Sequence, residues 1–161
     1  MGNQGLLVAV DREPERMRLL DENLARLGVR IGKVVCHDWT KPLIPDDVGS
    51  EAPFNRILVD APCSNTGVMR RRVDARWRLN PADFTRMQGR QIEIARAVAP
   101  LLTAGGTLVY STCSLEREEN KDVVQELLRR MSILQPGEER SSLPFRGNFD
   151  GAFAARFRRR D

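Results

Sequence analysis

Short apolar runs alternate with stretches of helical periodicity along this chain. That alternation predicts an α/β domain built on a mostly parallel sheet with crossover helices. A second observation points the same way. Three of the runs end at or just before an acid, at Asp11, Asp38 and Asp60, and open α/β sheets take ligands at the carboxyl ends of their strands. A third is the length: 161 residues suffice for one domain with a sizeable core, and 1–161 is read as a single domain.

The elements follow in order. Leu6-Leu7-Val8-Ala9-Val10 is long enough for a buried strand and leads into Asp11. Pro14 suits a first helical turn, Met17, Leu20, Leu24 and Leu27 recur at helical spacing, and Gly28 suits the stop. Lys33-Val34-Val35-Cys36 reads as a second strand, followed by His37-Asp38. A loop with Pro42, Pro45 and Pro53 leads to a third strand, Arg56–Asp60. Asn80-Pro81 supplies an N-cap and first turn for a helix with Phe84, Met87, Ile94 and Val98 on its apolar face, closed by Pro100 and Gly105-Gly106. Thr107–Ser111 is the fourth strand, and Val123, Val124, Leu127, Leu128 and Met131 mark a further helix. Residues 135–150 read as turn-rich and partly mobile, and Gly151–Arg158 as a final edge strand with Phe153 and Phe157 on one face. The whole is Rossmann-like. Such folds place a glycine-rich turn about 20 residues before the acid corresponding to Asp11. Met1-Gly2-Asn3-Gln4-Gly5 does not make that turn, so the chain is expected to be amino-terminally incomplete.

Composition excludes several classes. Hydrophobic residues are 41% and charged residues 30%, as in ordinary globular proteins. No run approaches the roughly 20 apolar residues of a membrane span, and no signal peptide is visible, so a cytoplasmic protein is expected. Cys36, Cys63 and Cys113 are an odd set that suits free thiols better than a disulfide framework. The lone His37 and the scattered cysteines lack metal-ligand spacing, so no metal is expected. The net charge of +4 favours an anionic partner. Arg70, Arg71, Arg72, Arg76 and Arg78 cluster around Trp77, a combination suited to phosphates and an unstacked base.

Two cysteines carry the chemistry. Cys63 follows the third predicted strand and Cys113 the fourth, fifty positions apart. If those strands are parallel neighbours, about 4.8 Å apart, both thiols open onto one end of one sheet beside Asp60, within roughly 10 Å of each other.

The residues that surround these thiols resemble one family. Asp60-Ala61-Pro62-Cys63-Ser64-Asn65-Thr66-Gly67-Val68, Arg71-Arg72-Val73-Asp74-Ala75-Arg76-Trp77, Gly105-Gly106-Thr107-Leu108-Val109-Tyr110-Ser111-Thr112-Cys113-Ser114, Glu119-Asn120 and Asp150-Gly151-Ala152-Phe153-Ala154-Ala155-Arg156 together resemble the Sun family of RNA cytosine-5 methyltransferases, and within it the bacterial 16S ribosomal RNA enzymes. Val73 stands where that family usually has proline, and Lys121 where it usually has an acid. The resemblance implies the class I S-adenosylmethionine-dependent methyltransferase fold, here without its first strand and glycine-rich motif, so that 1–161 would be a partial methyltransferase catalytic domain. That strand would lie between those ending at Asp11 and Asp60, so either the two pair directly or another segment lies between them. It also implies S-adenosylmethionine as cofactor, RNA (ribosomal above all) as partner, and a missing amino-terminal region of the same enzyme.

By the same resemblance Cys113 is the nucleophile, Cys63 assists release of the enzyme, and Asp60 hydrogen-bonds the cytosine ring nitrogen. Asp11 holds the cofactor ribose, Asp38 lies by the adenine, Asp60 also borders the cofactor, and Arg70, Arg71, Arg72, Arg76 and Trp77 meet RNA. The chemistry suits these residue types. Carbon 5 of cytosine is a poor nucleophile until a thiolate adds at carbon 6, and a thiolate both attacks and leaves readily. Four other readings compete. A DNA cytosine-5 enzyme would use Pro62-Cys63 and leave Cys113 idle. A dinucleotide dehydrogenase would use Asp11 and neither cysteine. A catalytically incomplete fragment would keep only the fold and the RNA-binding face. A tRNA-directed enzyme of the same family would keep the chemistry and change the target.

Overall fold

A computed structural model describes residues 1–161, with side chains at every position except 75. The chain divides into two compact units, Met1–Ala52 and Pro53–Asp161.

In the first unit β1 (Leu7–Asp11) and β2 (Gly32–Cys36) form a two-stranded parallel sheet, with Asp11 opposite Cys36. Helix α1 (Pro14–Arg26) makes the crossover, and Pro14 stands in its first turn as predicted. Met17, Leu20 and Leu24 are half-buried, whereas Leu27 lies beyond the last turn and is exposed. Gly28 has φ +66°, the left-handed conformation that a helix stop calls for. A short helix, α2 (Asp46–Gly49), buries only Val48.

The second unit holds a four-stranded sheet. Its strands are β3 (Phe54–Asp60), β4 (Leu102–Thr112), β5 (Leu134–Ser142) and β6 (Ala152–Arg159), in the order β3-β4-β6-β5. The strands ending at Asp11 and Asp60 therefore belong to separate sheets and do not pair with each other. β3 and β4 are parallel, while β6 runs antiparallel to both neighbours.

Several predictions need correction: this sheet has more antiparallel than parallel pairings, and β4 begins at Leu102, so Gly105-Gly106 lie inside it and do not close the helix before it. Residues 134–142 are a strand, not a mobile loop, and β6 is an inner strand, not the edge. β5 escaped notice because Pro136 and Gly137 break its pattern and most of it is exposed. An edge strand tolerates this, because proline sits at its irregular step between Pro136 and Glu139.

Period-two alternation builds the core. Gly106, Leu108, Tyr110 and Thr112 of β4 are buried, and so are Phe153, Ala155 and Phe157 of β6. Across the ladder Leu108 faces Phe157 and the large Tyr110 faces the small Ala155. Three helices connect these strands: the short α3 (Ala75–Arg78) precedes the long α4 (Pro81–Val98), and α5 (Lys121–Arg130) follows β4. α4 begins with a reciprocal cap between Asn80 and Asp83. It packs against β3 and α5, and α5 against β5.

The buried stripe of α4 is Gln91, Ile92, Ala95 and Val98. Of the four residues predicted to face the core, Phe84, Met87 and Ile94 are only half-buried. α5 buries Val123, Val124 and Leu127. Removing the fully buried Leu127 side chain (Leu127→Ala) should lower stability by about 2–5 kcal/mol in urea denaturation, whereas Leu20→Ala, in the half-buried face of α1, should cost about 1 kcal/mol.

Candidate functional site

The parallel register aligns Asp60 with Ser111, and the Ala61 amide extends it by donating to the Ser111 carbonyl at 2.9 Å. Each strand then runs into its cysteine loop, Cys63 three residues on and Cys113 two. The sulfurs lie 3.2 Å apart. Cys63 is buried and Cys113 half-buried. Asp60, exposed at the end of β3, accepts from Ser111 Oγ at 3.3 Å. Asp60, Cys63 and Cys113 therefore come together at one end of one sheet.

The loops are tied by a buried carboxylate. Glu119 is fully buried. Its Oε1 accepts from the Ser64 amide at 2.9 Å and from Gln91 Nε2 at 3.2 Å, and its Oε2 accepts from the hydroxyls of Ser64 and Ser114. Four donors from three chain segments thus surround one acidic side chain. The Tyr110 hydroxyl donates to the Glu119 carbonyl at 2.6 Å. Asn120 accepts from Thr112 Oγ1 at 2.6 Å and donates to the Ser114 carbonyl at 2.9 Å. Gln91 also donates to the Pro62 carbonyl at 2.9 Å.

Backbone contact adds a second tie. The Gly67 amide donates to the Cys113 carbonyl at 2.9 Å, and the Gly151 amide to the Gly67 carbonyl at 2.8 Å. A Cβ on Gly67 would lie 2.3 Å from the Gly151 oxygen, so only glycine permits this approach.

The two thiols differ. Cys113 Sγ donates to Asn65 Oδ1 at 3.0 Å, which uses its one proton and leaves Cys63 as donor in the sulfur–sulfur contact. That contact pushes the Cys63 thiol up, and burial adds to it. The same contact lowers Cys113 to about 7, with a further contribution from the Arg72 charge, against the opposing effects of partial burial and Asp60. A half-exposed sulfur with a lowered pKa is a candidate nucleophile, and the buried thiol beside it a candidate proton donor.

The remaining predicted residues fall as follows. Asp11 Oδ1 accepts from the Glu13 amide at 2.9 Å, and Oδ2 pairs with Arg16 at 3.3 Å. Asp38 Oδ1 accepts from the Thr40 amide and hydroxyl at 3.0 and 2.8 Å. Both stand at the carboxyl end of the β1–β2 pair in the first unit. His37 is half-buried, with its ring edge-to-face on Trp39. Arg70 and Arg71 pair with Asp150 at 2.6 and 3.0 Å. Trp77 is 81% exposed, with the Arg76 guanidinium 5.2 Å from its ring centre. Among the described residues no group of three His, Cys, Asp or Glu could hold a metal, and no helix is long and apolar enough to cross a membrane.

Sequence reasoning gave no role to Glu119, Gln91, Ser64 or Ser114. The available signals were the Glu119-Asn120 pair among the family-like motifs and its place just ahead of a helix. Glu119→Gln should cost about 2–3 kcal/mol, because its amide would turn a donor toward donors. It should also open the buried Cys63 to alkylation, read by urea denaturation and peptide mapping. In the unaltered chain, alkylation of Cys113 should rise through about pH 7, because the reactive thiolate forms there, while Cys63 stays unreactive.

The chain is similar to known proteins. The ribosomal RNA small subunit methyltransferase B of Vibrio vulnificus is 39% identical over 155 residues, which is 92% of this chain and 35% of that protein. The Salmonella paratyphi B protein of the same name is 39% identical over 159 residues, 93% of this chain and 36% of that protein. The chain thus spans about a third of the length of these curated relatives. Among solved structures, NSun6 from Pyrococcus horikoshii with SFG aligns with a TM-score of 0.83 at 27% identity, over 99% of this chain and 42% of that one. A methyltransferase homologue from the same organism aligns with a TM-score of 0.80 at 27% identity, over 98% of this chain and 54% of that one. The fold is the Rossmann-like class I methyltransferase fold. The family described as 16S rRNA methyltransferase RsmB/F matches residues 1–158, and this chain belongs to it.

Proposed function

We propose that this chain is part of an enzyme that transfers a methyl group from S-adenosylmethionine to carbon 5 of a cytosine in ribosomal RNA. The observation that carries the reading is the pair of sulfurs 3.2 Å apart with opposite proton affinities. Cys113, half-exposed and lowered to about 7, attacks carbon 6 of the cytosine. The ring then carries electron density to carbon 5. Cys63, which keeps its proton, stands beside the carbon–sulfur bond that must break at the end. Once Cys113 is bonded to carbon 6 its charge no longer holds that proton on Cys63, so Cys63 releases it to solvent, takes the proton from carbon 5 as a thiolate, and elimination returns the electron pair to Cys113. Asp60, exposed at the strand end, meets the ring nitrogen.

The donor set suits the cofactor in kind. Asp11 and Asp38 offer carboxylate oxygens at the carboxyl end of a parallel pair, where ribose hydroxyls and an adenine amine would find acceptors. The cofactor, when bound, supplies an electrophilic methyl group. On the RNA side, Arg72, Arg76 and the exposed Trp77 suit a phosphate backbone and an unstacked base. Arg70 and Arg71 contact RNA from a loop held by Asp150. Both units are read as parts of one catalytic domain.

Cys113→Ala should abolish methyl transfer in the full-length protein, because no adduct forms. Cys63→Ala should still attack and methylate, but a covalent protein–RNA complex should accumulate through Cys113. Denaturing gels with labelled ribosomal RNA read the difference. A trapped complex with Cys113→Ala and none with Cys63→Ala would reverse the assignment.

A further inference from the structure

Beside the Cys113 thiol lies a side chain to which the mechanism above gives no part. Asn65 has φ +62° and ψ 24°, a left-handed backbone that asparagine adopts more readily than most residues. Its Nδ2 donates to the Cys63 carbonyl at 3.0 Å, and its Oδ1 accepts from Cys113 Sγ at 3.0 Å. The first contact fixes the second. A flipped amide would set its oxygen against the Cys63 carbonyl oxygen, so the acceptor end must face Cys113.

Cys113 consequently sits in two hydrogen bonds of opposite effect. Donation into its sulfur by Cys63 favours the thiolate, and acceptance of its proton by Asn65 favours the thiol. The other charged groups acting on this sulfur are Asp60 from β3 and Arg72 from the Cys63 loop.

We propose that Asn65 is a positioning residue for the nucleophile: its amide oxygen, fixed by the Cys63 carbonyl, aims the Cys113 thiol and retains its proton in the resting site. This deepens the function proposed above and rests on Cys113 as the attacking sulfur. It makes the nucleophile guarded, because the sulfur is held close to its reactive form but keeps an acceptor for its proton until that contact is given up.

The test is the pH dependence of Cys113 alkylation by iodoacetamide, followed by peptide mass spectrometry in the unaltered chain, Asn65→Gly and Asn65→Asp. Glycine keeps the left-handed backbone and removes the acceptor, so the midpoint should fall by about half a unit to one unit, the scale of one hydrogen bond. Aspartate keeps an acceptor and adds negative charge, so the midpoint should rise. An unchanged or raised midpoint in Asn65→Gly, or a lowered one in Asn65→Asp, overturns the proposal. The buried Cys63 reports folding in the same digest, and if it becomes reactive in the glycine variant the aspartate variant decides. Alkylation needs neither RNA nor cofactor, so its outcome is independent of the adduct experiment.

Discussion

The second unit depends on one buried carboxylate. Glu119 lies at zero exposure, where an acidic side chain is costly unless its oxygens are fully engaged. Its four donors come from the Cys63 loop, the Cys113 loop and α4, so meeting the needs of one side chain forces three segments into a single arrangement. Each loop donates through a serine immediately after its cysteine. Whatever fixes Ser64 and Ser114 therefore fixes the sulfurs as well.

Within that frame, two chemically identical groups become different. Cys63 is the more buried and has only a sulfur to donate to, whereas Cys113 receives that donation and reaches solvent. Negative charge settles on the sulfur that water and Arg72 can support. Under the proposed function, the division of labour between attacking and releasing sulfur would follow from burial and from the direction of one weak hydrogen bond.

Much of this was legible in the sequence for a plain reason. Strand ends, caps and turns are local, so Pro14, Gly28, Asn80-Pro81 and the alternation in β4 and β6 disclose themselves residue by residue. The juxtaposition of Cys63 and Cys113 followed once their strands were taken as parallel neighbours. What stayed hidden is non-local. β5 depends on β6 for its ladder and carries a proline and a glycine that argue against a strand. The core stripe of α4 contains Gln91, a polar residue whose burial makes sense only when Glu119 is already in place. Glu119 stands out in the sequence only as part of a family-like pair, and its role emerges once two serines fifty positions apart are brought to it.

The ladder between β3 and β4 has a bearing on how this segment can change over evolutionary time. Asp60 stands opposite Ser111, and each thiol follows at a set number of residues along its own chain, so the spacing between the sulfurs is counted out by the backbone. Substitutions inside the loops alter contacts and leave that count intact. A one-residue insertion or deletion between Asp60 and Cys63, or between Ser111 and Cys113, would instead turn a thiol away from its partner whatever its neighbours were. The lineage of this segment should accordingly tolerate spelling changes in these loops and reject changes of length.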